Sequence, residues 1–196
     1  MTTPVPGRRE RKKAQTRELI ATTAREMFLA HGYDAVSVKE IADAADVAVT
    51  TVFKHFPRKE TLVFDEEGEL DRAMIAAVLE RRPGQSILEA LRDYWLTSWG
   101  MTHAHHPEFQ AFVRLVETTP ELRAYAERMW MRHEDSLASA LSEATGAKPG
   151  DLCPRLLANI VLRSRDLIRN EPDPRAALIQ TFDLLAKGFG DYGRGY

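Results

Sequence analysis

The stretch from Ser37 to Leu62, SVKEIADAADVAVTTVFKHFPRKETL, limits what this chain can fold into more than any other. Ser37 followed by Glu40 is the S-x-x-E capping box, in which each side chain takes an amide that a helix start leaves unpaired. Val38, Ile41, Ala42 and Ala45 then repeat at helical spacing and make one apolar stripe. Asp46 stands where the chain must turn, and Asp enters left-handed backbone geometry more readily than most residues. A second short helix is expected from about Ala48 to His55, with Val47, Val52 and Phe56 facing inward. Val49, Thr50, Thr51 and Lys54 are left facing outward. Pro57 stops this helix, because proline lacks the amide and its ring clashes with the turn before it.

A short second helix with a small, polar outer face suits the DNA major groove, which is roughly 12 Å wide and just admits a helix. Thr can hydrogen-bond bases or phosphates, and Val and Thr methyls can touch thymine methyls. On spacing alone, an ordinary surface helix pair fits as well. The charge distribution tips the balance toward DNA. Residues 1–60 carry eleven Lys/Arg against eight Asp/Glu, a net of +3, whereas the rest of the chain has a net of −5. A basic front on an acidic body is the footprint of a protein that meets a polyanion at one end. Arg8, Arg9, Arg11, Lys12, Lys13 and Arg17 concentrate that charge just before the helix pair. They read either as a solvated face or as a flexible arm on phosphates.

From about Ala14 to His31 the pattern is helical, with Leu19, Ile20, Thr23, Ala24, Met27 and Phe28 on one face. Gly32 closes this helix and Tyr33 packs after it, so three helices make one module. Residues of this module resemble the DNA-binding domain of the tetracycline-repressor-like (TetR) family of bacterial transcription regulators. The matching residues are Ala24, Met27-Phe28, Gly32-Tyr33, Ser37 to Ala42, Val47 to Phe56 and Lys59 to Leu62. The resemblance implies that Ser37 contacts a phosphate as well as capping, and that Thr50 and Thr51 read or approach bases. It implies backbone contacts from His55 and from Lys59. Phe53 stands where the family usually has Tyr, so one phosphate-binding hydroxyl is missing. Asp46 in place of the usual turn Gly and Ala48 in place of the usual capping Ser are further departures. Ser37, Thr50, Thr51, Phe53, His55 and Lys59, with Arg11, Lys12, Lys13, Val49 and Lys54, form the candidate DNA-binding set.

The remaining chain reads as helices throughout, about nine in all, so the expected fold is all-α. Helix 4 is expected from about Arg58 to Arg82, where Pro83-Gly84 breaks it. Ser86 and Glu89 form a second capping box before a helix from about Ile87 to His103. Further helices are expected over about Pro107–Thr118, Pro120–Thr145, Asp151–Asn170 and Pro174–Phe189, with short frayed tails at both chain ends. The expected domains are residues 1–60, an arm and helix-turn-helix, and residues 61–196, a ligand-binding and dimerisation domain. Trp, Phe and Met crowd the middle helices, which suits an apolar pocket. The resemblance implies that an effector binds there, and Trp95, Trp99, Phe112, Met129, Trp130 and His133 are the candidates. A Trp pair four residues apart is more often packed core than ligand wall. The resemblance also implies a homodimer formed by the last two helices, whose apolar faces are broad.

Other function classes find little support. No apolar run reaches the roughly 20 residues that span a bilayer. No apolar segment follows the basic N-terminus as a secretory signal would require. Cys153 is the only cysteine, which excludes an intramolecular disulfide and fits a cytoplasmic protein. His103, His105 and His106 lack the spacing of a metal site. Cys153 before Pro154 near a helix start could have a lowered thiol pKa, although inert packing is the commoner role. A helical enzyme is the alternative, but nucleophile elbow, Walker loop, dinucleotide fingerprint and HExxH are all missing. The expected partners are a double-stranded DNA operator, a small apolar or aromatic effector and a second copy of the chain. No cofactor, metal or membrane is expected. A DNA-binding architectural protein without an effector is a third reading.

Overall fold

The computed structural model describes residues 7–65, 67–98, 103 and 106–189. The N-terminal tail before Gly7, Trp99, Met101, His105 and the Gly-rich C-terminal tail lie outside the described residues. Among the described residues there are nine α-helices and no strand. They are α1 (Arg8–His31), α2 (Val38–Ala44), α3 (Val49–His55), α4 (Glu67–Leu79), α5 (Ile87–Thr97), α6 (Pro107–Thr118), α7 (Pro120–Thr145), α8 (Cys153–Arg169) and α9 (Pro174–Phe189). A 3-10 turn, Lys59–Leu62, lies between α3 and α4. No helix among the described residues is long and apolar enough to cross a membrane.

Local signals set most of these boundaries. Both capping boxes form: the Ser37 amide donates to the Glu40 carboxylate at 2.7 Å, and the Ser86 amide to that of Glu89 at 2.8 Å. Pro107, Pro120 and Pro174 each occupy the first position of a helix, where the missing amide costs nothing. Three boundaries differ from expectation. α5 ends at Thr97 and not near His103, because Ser98 is extended with a ψ of 150° and its hydroxyl and amide both turn back to the Trp95 carbonyl. α1 starts at Arg8, so the basic run is helical and not a flexible arm. Arg, Lys, Glu, Gln and Ala are strong helix formers, and the Glu10 carboxylate accepts the Gly7 amide at 3.0 Å. The expected helix 4 is divided into the 3-10 turn and α4. Between them Phe64 stacks on Tyr125 and meets Phe112 edge-on, and Arg17 takes the Asp65 carbonyl. These contacts hold the chain out of a continuous helix.

The described chain forms two compact units. The first is made from the described part of Met1–Asp65 together with Ala111–Tyr125. Its core is Ile20, Ala24 and Phe28 from α1, Ile41 and Ala42 from α2, Val52 and Phe56 at α3, then Leu62 and Leu122. Phe112, Leu115 and Val116 of α6 pack against it. Fully burying each large side chain is worth about 1.5–3 kcal/mol. The second unit is Glu66–Gln110 with Ala126–Tyr196. Its core joins Met74 and Val78 of α4, Leu91 and Trp95 of α5, and Leu137 and Leu141 of α7 to Leu157 and Val161 of α8 and Leu178 and Phe182 of α9.

The α2–α3 turn is a Schellman motif. Val47 N–H reaches the Ala42 carbonyl at 2.9 Å and Asp46 N–H the Asp43 carbonyl at 3.3 Å. Asp46 holds the left-handed position with a φ of +52°, the one described non-glycine residue at positive φ. Ala48 caps α3 with no side-chain hydrogen bond. Relieving the left-handed strain by Asp46→Gly should stabilise the protein by about 1 kcal/mol. Supplying the missing cap by Ala48→Ser should add about 1 kcal/mol. Urea midpoints at constant slope check both, and a lowered midpoint for Ala48→Ser would contradict the cap assignment.

Candidate nucleic-acid interface

The interface is built on α2, the turn and α3. Ser37 Oγ accepts the Glu40 amide at 3.2 Å and its hydroxyl also bonds the Glu40 carboxylate, so it meets an outside acceptor such as a phosphate by turning away from Glu40. Ser37 is exposed. On α3, Thr50 and Lys54 are exposed, and Phe53 is 48% exposed although it is aromatic. Thr51 and His55 are half-buried. Val49 departs from its expected outward position: it is half-buried and packs against the first core, because Val52 beside it pulls that edge of the helix inward. The outer face is therefore Thr50, Phe53 and Lys54 with the edge of Thr51. Arg11, Lys12 and Lys13 are exposed in the first turns of α1.

Arg17 has a role that its place in a basic run does not reveal. Its Nη1 donates to the His55 carbonyl at 2.8 Å and its Nη2 to the Asp65 carbonyl at 3.0 Å. The guanidinium lies 4.2 Å from the centroid of the Phe56 ring. One side chain of α1 thus holds both the last residue of α3 and the chain just before α4. Burial, and then the charges of Arg17, Lys13 and Lys54, push the His55 imidazole below its ordinary pKa. His55 is therefore suited to neutral hydrogen bonding on a DNA backbone.

Lys59 does not face outward at a helix start as expected. Its ammonium donates to the Tyr33 carbonyl at 2.6 Å and lies 4.1 Å from the Tyr33 ring centroid. Burial pushes its pKa below the ordinary value. The Tyr33 carbonyl lies just beyond α1, and the aromatic faces of Tyr33 and Phe28 offset part of the cost of burying the cation there. Lys59 is thus a staple of the first core.

The candidate ligand residues divide between the units. Phe112 belongs to the first, against Phe64. Trp95, Met129 and His133 are buried in the second, and Trp130 is half-buried there. The Trp130 ring meets the His133 ring edge-on at 5.1 Å, and the Arg165 guanidinium lies 3.6 Å from the Trp130 centroid. Trp99 is among the residues not described. His103 and His106 stack edge-on at 6.0 Å, and no three His, Cys, Asp or Glu side chains gather as a metal would need among the described residues. The Cys153 thiol is pushed up, by burial and by Asp151, and not down as a helix start alone would do.

Comparison with known proteins agrees with this geometry. Residues 20–65 match the family described as bacterial regulatory proteins, tetR family, and residues 85–190 match the MftR C-terminal domain. The second match alone spans more than half of the chain. This chain belongs to the TetR family.

TcmR of Streptomyces glaucescens, an HTH-type transcriptional regulator, is 31% identical over 166 residues, covering 79% of this chain and 72% of that protein. A TetR-family regulator of Streptomyces coelicolor superposes with a TM-score of 0.58 at 24% identity, covering 98% of this chain and 97% of that one. The SmeT–triclosan complex superposes with a TM-score of 0.60 at 16% identity, covering 89% and 91%. The protein is a DNA-binding transcriptional regulator with a helix-turn-helix head and a helical C-terminal domain.

Within this TetR-family head, Arg17→Met removes two charge-assisted hydrogen bonds and leaves two carbonyls short of a donor. It should destabilise the protein by about 2 kcal/mol, read from urea unfolding. An unchanged midpoint would show that the clamp does not hold α3. A pH effect is expected from the second unit. Burial keeps His133 below its ordinary pKa, with Asp71 and Glu67 opposing and Arg132 and Arg165 adding to the shift. The unfolded chain then takes up a proton that the folded chain refuses, so stability is intact above about pH 6.5 and falls as pH drops below it. His133→Phe should lose less stability than wild type between about pH 7.5 and about pH 5.5 in thermal melts.

Proposed function

We propose that the protein is a homodimeric repressor that acts in the cytoplasm on a near-palindromic operator and is released by a small effector. The observation that carries this reading is the outer face of α3: Thr50, Phe53 and Lys54 exposed on a short helix, after a capped helix and a tight turn. Residues 1–60 carry the DNA-binding function and residues 61–196 effector binding and dimerisation. Ser37, Thr50, Thr51, Phe53, Lys54 and His55 meet the operator, and Arg11, Lys12 and Lys13 add phosphate contacts. Two copies of α3 enter successive major grooves about 34–36 Å apart.

The dimer reading rests on apolar side chains left in solvent on the last two helices. Leu156 and Leu167 of α8, and Ile179 and Leu184 of α9, are all exposed, Leu167 at 73% and Leu184 at 60%. A second copy of the same two helices would cover them. The effector reading rests on the buried Trp95, Met129 and His133 with Trp130 beside them. SmeT, of the same fold, has been solved with triclosan, an aromatic molecule. Binding shifts the dimer toward a state whose heads no longer fit the operator, and it does so only through its differential affinity for the two states.

The test uses DNA flanking the protein's own gene. Specific binding is expected, with log affinity falling against log salt by about 0.9 for each phosphate contact. Thr50→Ala should weaken specific binding by about tenfold and leave non-specific binding nearly unchanged. Equal losses would remove Thr50 from base reading. Leu167→Glu with Leu184→Glu should give a monomer by light scattering and lose operator binding. A dimer that persists would place the interface elsewhere.

A further inference from the structure

Four buried side-chain atoms of the described residues have no hydrogen-bond partner: Asp71 Oδ1, Trp95 Nε1, and both ring nitrogens of His133. All belong to the second unit. Each lies on a helix face that otherwise builds core. Asp71 precedes Met74, Ile75 and Val78 at spacings of three, four and seven, the stripe that α4 turns inward. Trp95 follows Leu88 and Leu91 on α5, and His133 lies between Met129 and Leu137 on α7. An apolar residue at each place would continue the core without cost. His133 is 1% exposed.

The neighbouring charges do not serve these atoms. Arg132 pairs with Glu67, and Arg165 pairs with Asp166 and covers Trp130. Tyr94, which feels the Asp71 charge, spends its hydroxyl on the Leu70 carbonyl at 3.2 Å. Arg132, next to His133, pairs with Glu67, one turn before Asp71, so α4 and α7 meet where these two groups stand, and Asp71 bears electrostatically on His133. The Tyr94 hydroxyl on Leu70 ties α5 to α4 beside Asp71, and the Trp95 ring meets the Tyr94 ring edge-on at 5.5 Å. Backbones of α4 and α5, of α5 and α9, and of α8 and α9 approach closely, and α7 joins them through Leu137, Ala138, Ala140 and Leu141.

We propose that Asp71, Trp95 and His133 are the polar anchors of the effector site, and that the effector is an apolar molecule with a non-anionic, hydrogen-bond-donating head group, a hydroxyl or an amine. This rests on the effector reading above and narrows its chemistry. The carboxylate takes a proton donor and repels an anion. The indole N–H takes an acceptor, which a hydroxyl oxygen supplies. Neutral imidazole offers one donor and one acceptor and adapts to either. Buried polar atoms kept unpaired in this way reduce stability in the free protein and gain their partners on binding.

Four probes with one ring system test the charge rule by titration calorimetry on the full chain: naphthalene, 2-naphthol, 2-(aminomethyl)naphthalene and 2-naphthoate. The naphthol and the amine should bind at least about tenfold more tightly than naphthalene, and the naphthoate no better than naphthalene. Asp71→Leu should abolish that preference. A naphthoate that binds as well as the naphthol, a preference that survives Asp71→Leu, or no binding of any probe would overturn the proposal. A second arm needs no ligand. In the free protein, Asp71→Leu and His133→Phe should each raise Tm by about 2–4 °C, because each removes an unpaired buried group. A fall in Tm for both would mean that ordered waters alone satisfy these atoms, which also overturns the proposal. Operator release is measured separately: a probe that binds with the expected preference but leaves operator affinity unchanged supports the site and removes the effector reading.

Discussion

A helix of seven residues cannot hold itself in water, because nucleation consumes most of what so few hydrogen bonds return. α3 is such a helix, and everything it presents to DNA depends on what fixes it from outside. Val52 and Phe56 anchor it to the first core, both with almost no exposure. Arg17 closes its C-terminal end by donating to the His55 carbonyl, one of the acceptors that every helix end leaves open. A cation there also opposes the negative end of the helix dipole. The aim of Thr50, Phe53 and Lys54 is thus inherited from α1. Because the same guanidinium holds the Asp65 carbonyl, the end of α3 and the approach to α4 are joined through one side chain.

The sequence shows some of this plainly and some of it not at all, and range is the difference. Capping boxes, helix-starting prolines and apolar stripes act within a few residues, so both Ser-x-x-Glu boxes and the bounds of α6, α7 and α9 are legible from sequence alone. Arg17 and His55 are 38 residues apart, and Lys59 and Tyr33 are 26 apart. Nothing local in the sequence joins them. Arg17 reads as one more charge in a basic run, and Lys59 as a phosphate ligand. Phe112 fails in the same way: its helix looks like pocket wall, but its ring packs on Phe64 in the first core. The start of α1 misleads for a different reason. The charge density of Arg8 to Lys13 suggests flexibility, whereas those residues also have high helix propensity. The polar anchors are visible in part, since a carboxylate at an apolar stripe position is an anomaly that periodicity exposes.

The two cores answer different demands. In the first, half-buried Arg17 and Lys59 have partners at their charged ends, Arg17 two carbonyls and Phe56, Lys59 a carbonyl and Tyr33. A reading head needs one orientation, and satisfied long-range contacts supply it. In the second, Asp71, Trp95 and His133 place polar atoms in an apolar setting without protein partners. Selection for stability alone would have replaced them, since proteins are readily stabilised at such positions.

That contrast bears on how an effector could act through this fold. A ligand moves an equilibrium only as far as its affinities for the two states differ. A site already satisfied without ligand has little more to gain in one state than in the other. A site whose polar atoms are unpaired has a large gain available, but only in the arrangement of α4, α5 and α7 that lets one molecule meet all of them. Two of those helices carry their anchors toward one end, Asp71 in the first turns of α4 and Trp95 in the last turn of α5. Asp71 therefore lies six residues beyond Asp65, whose carbonyl Arg17 holds together with the end of α3.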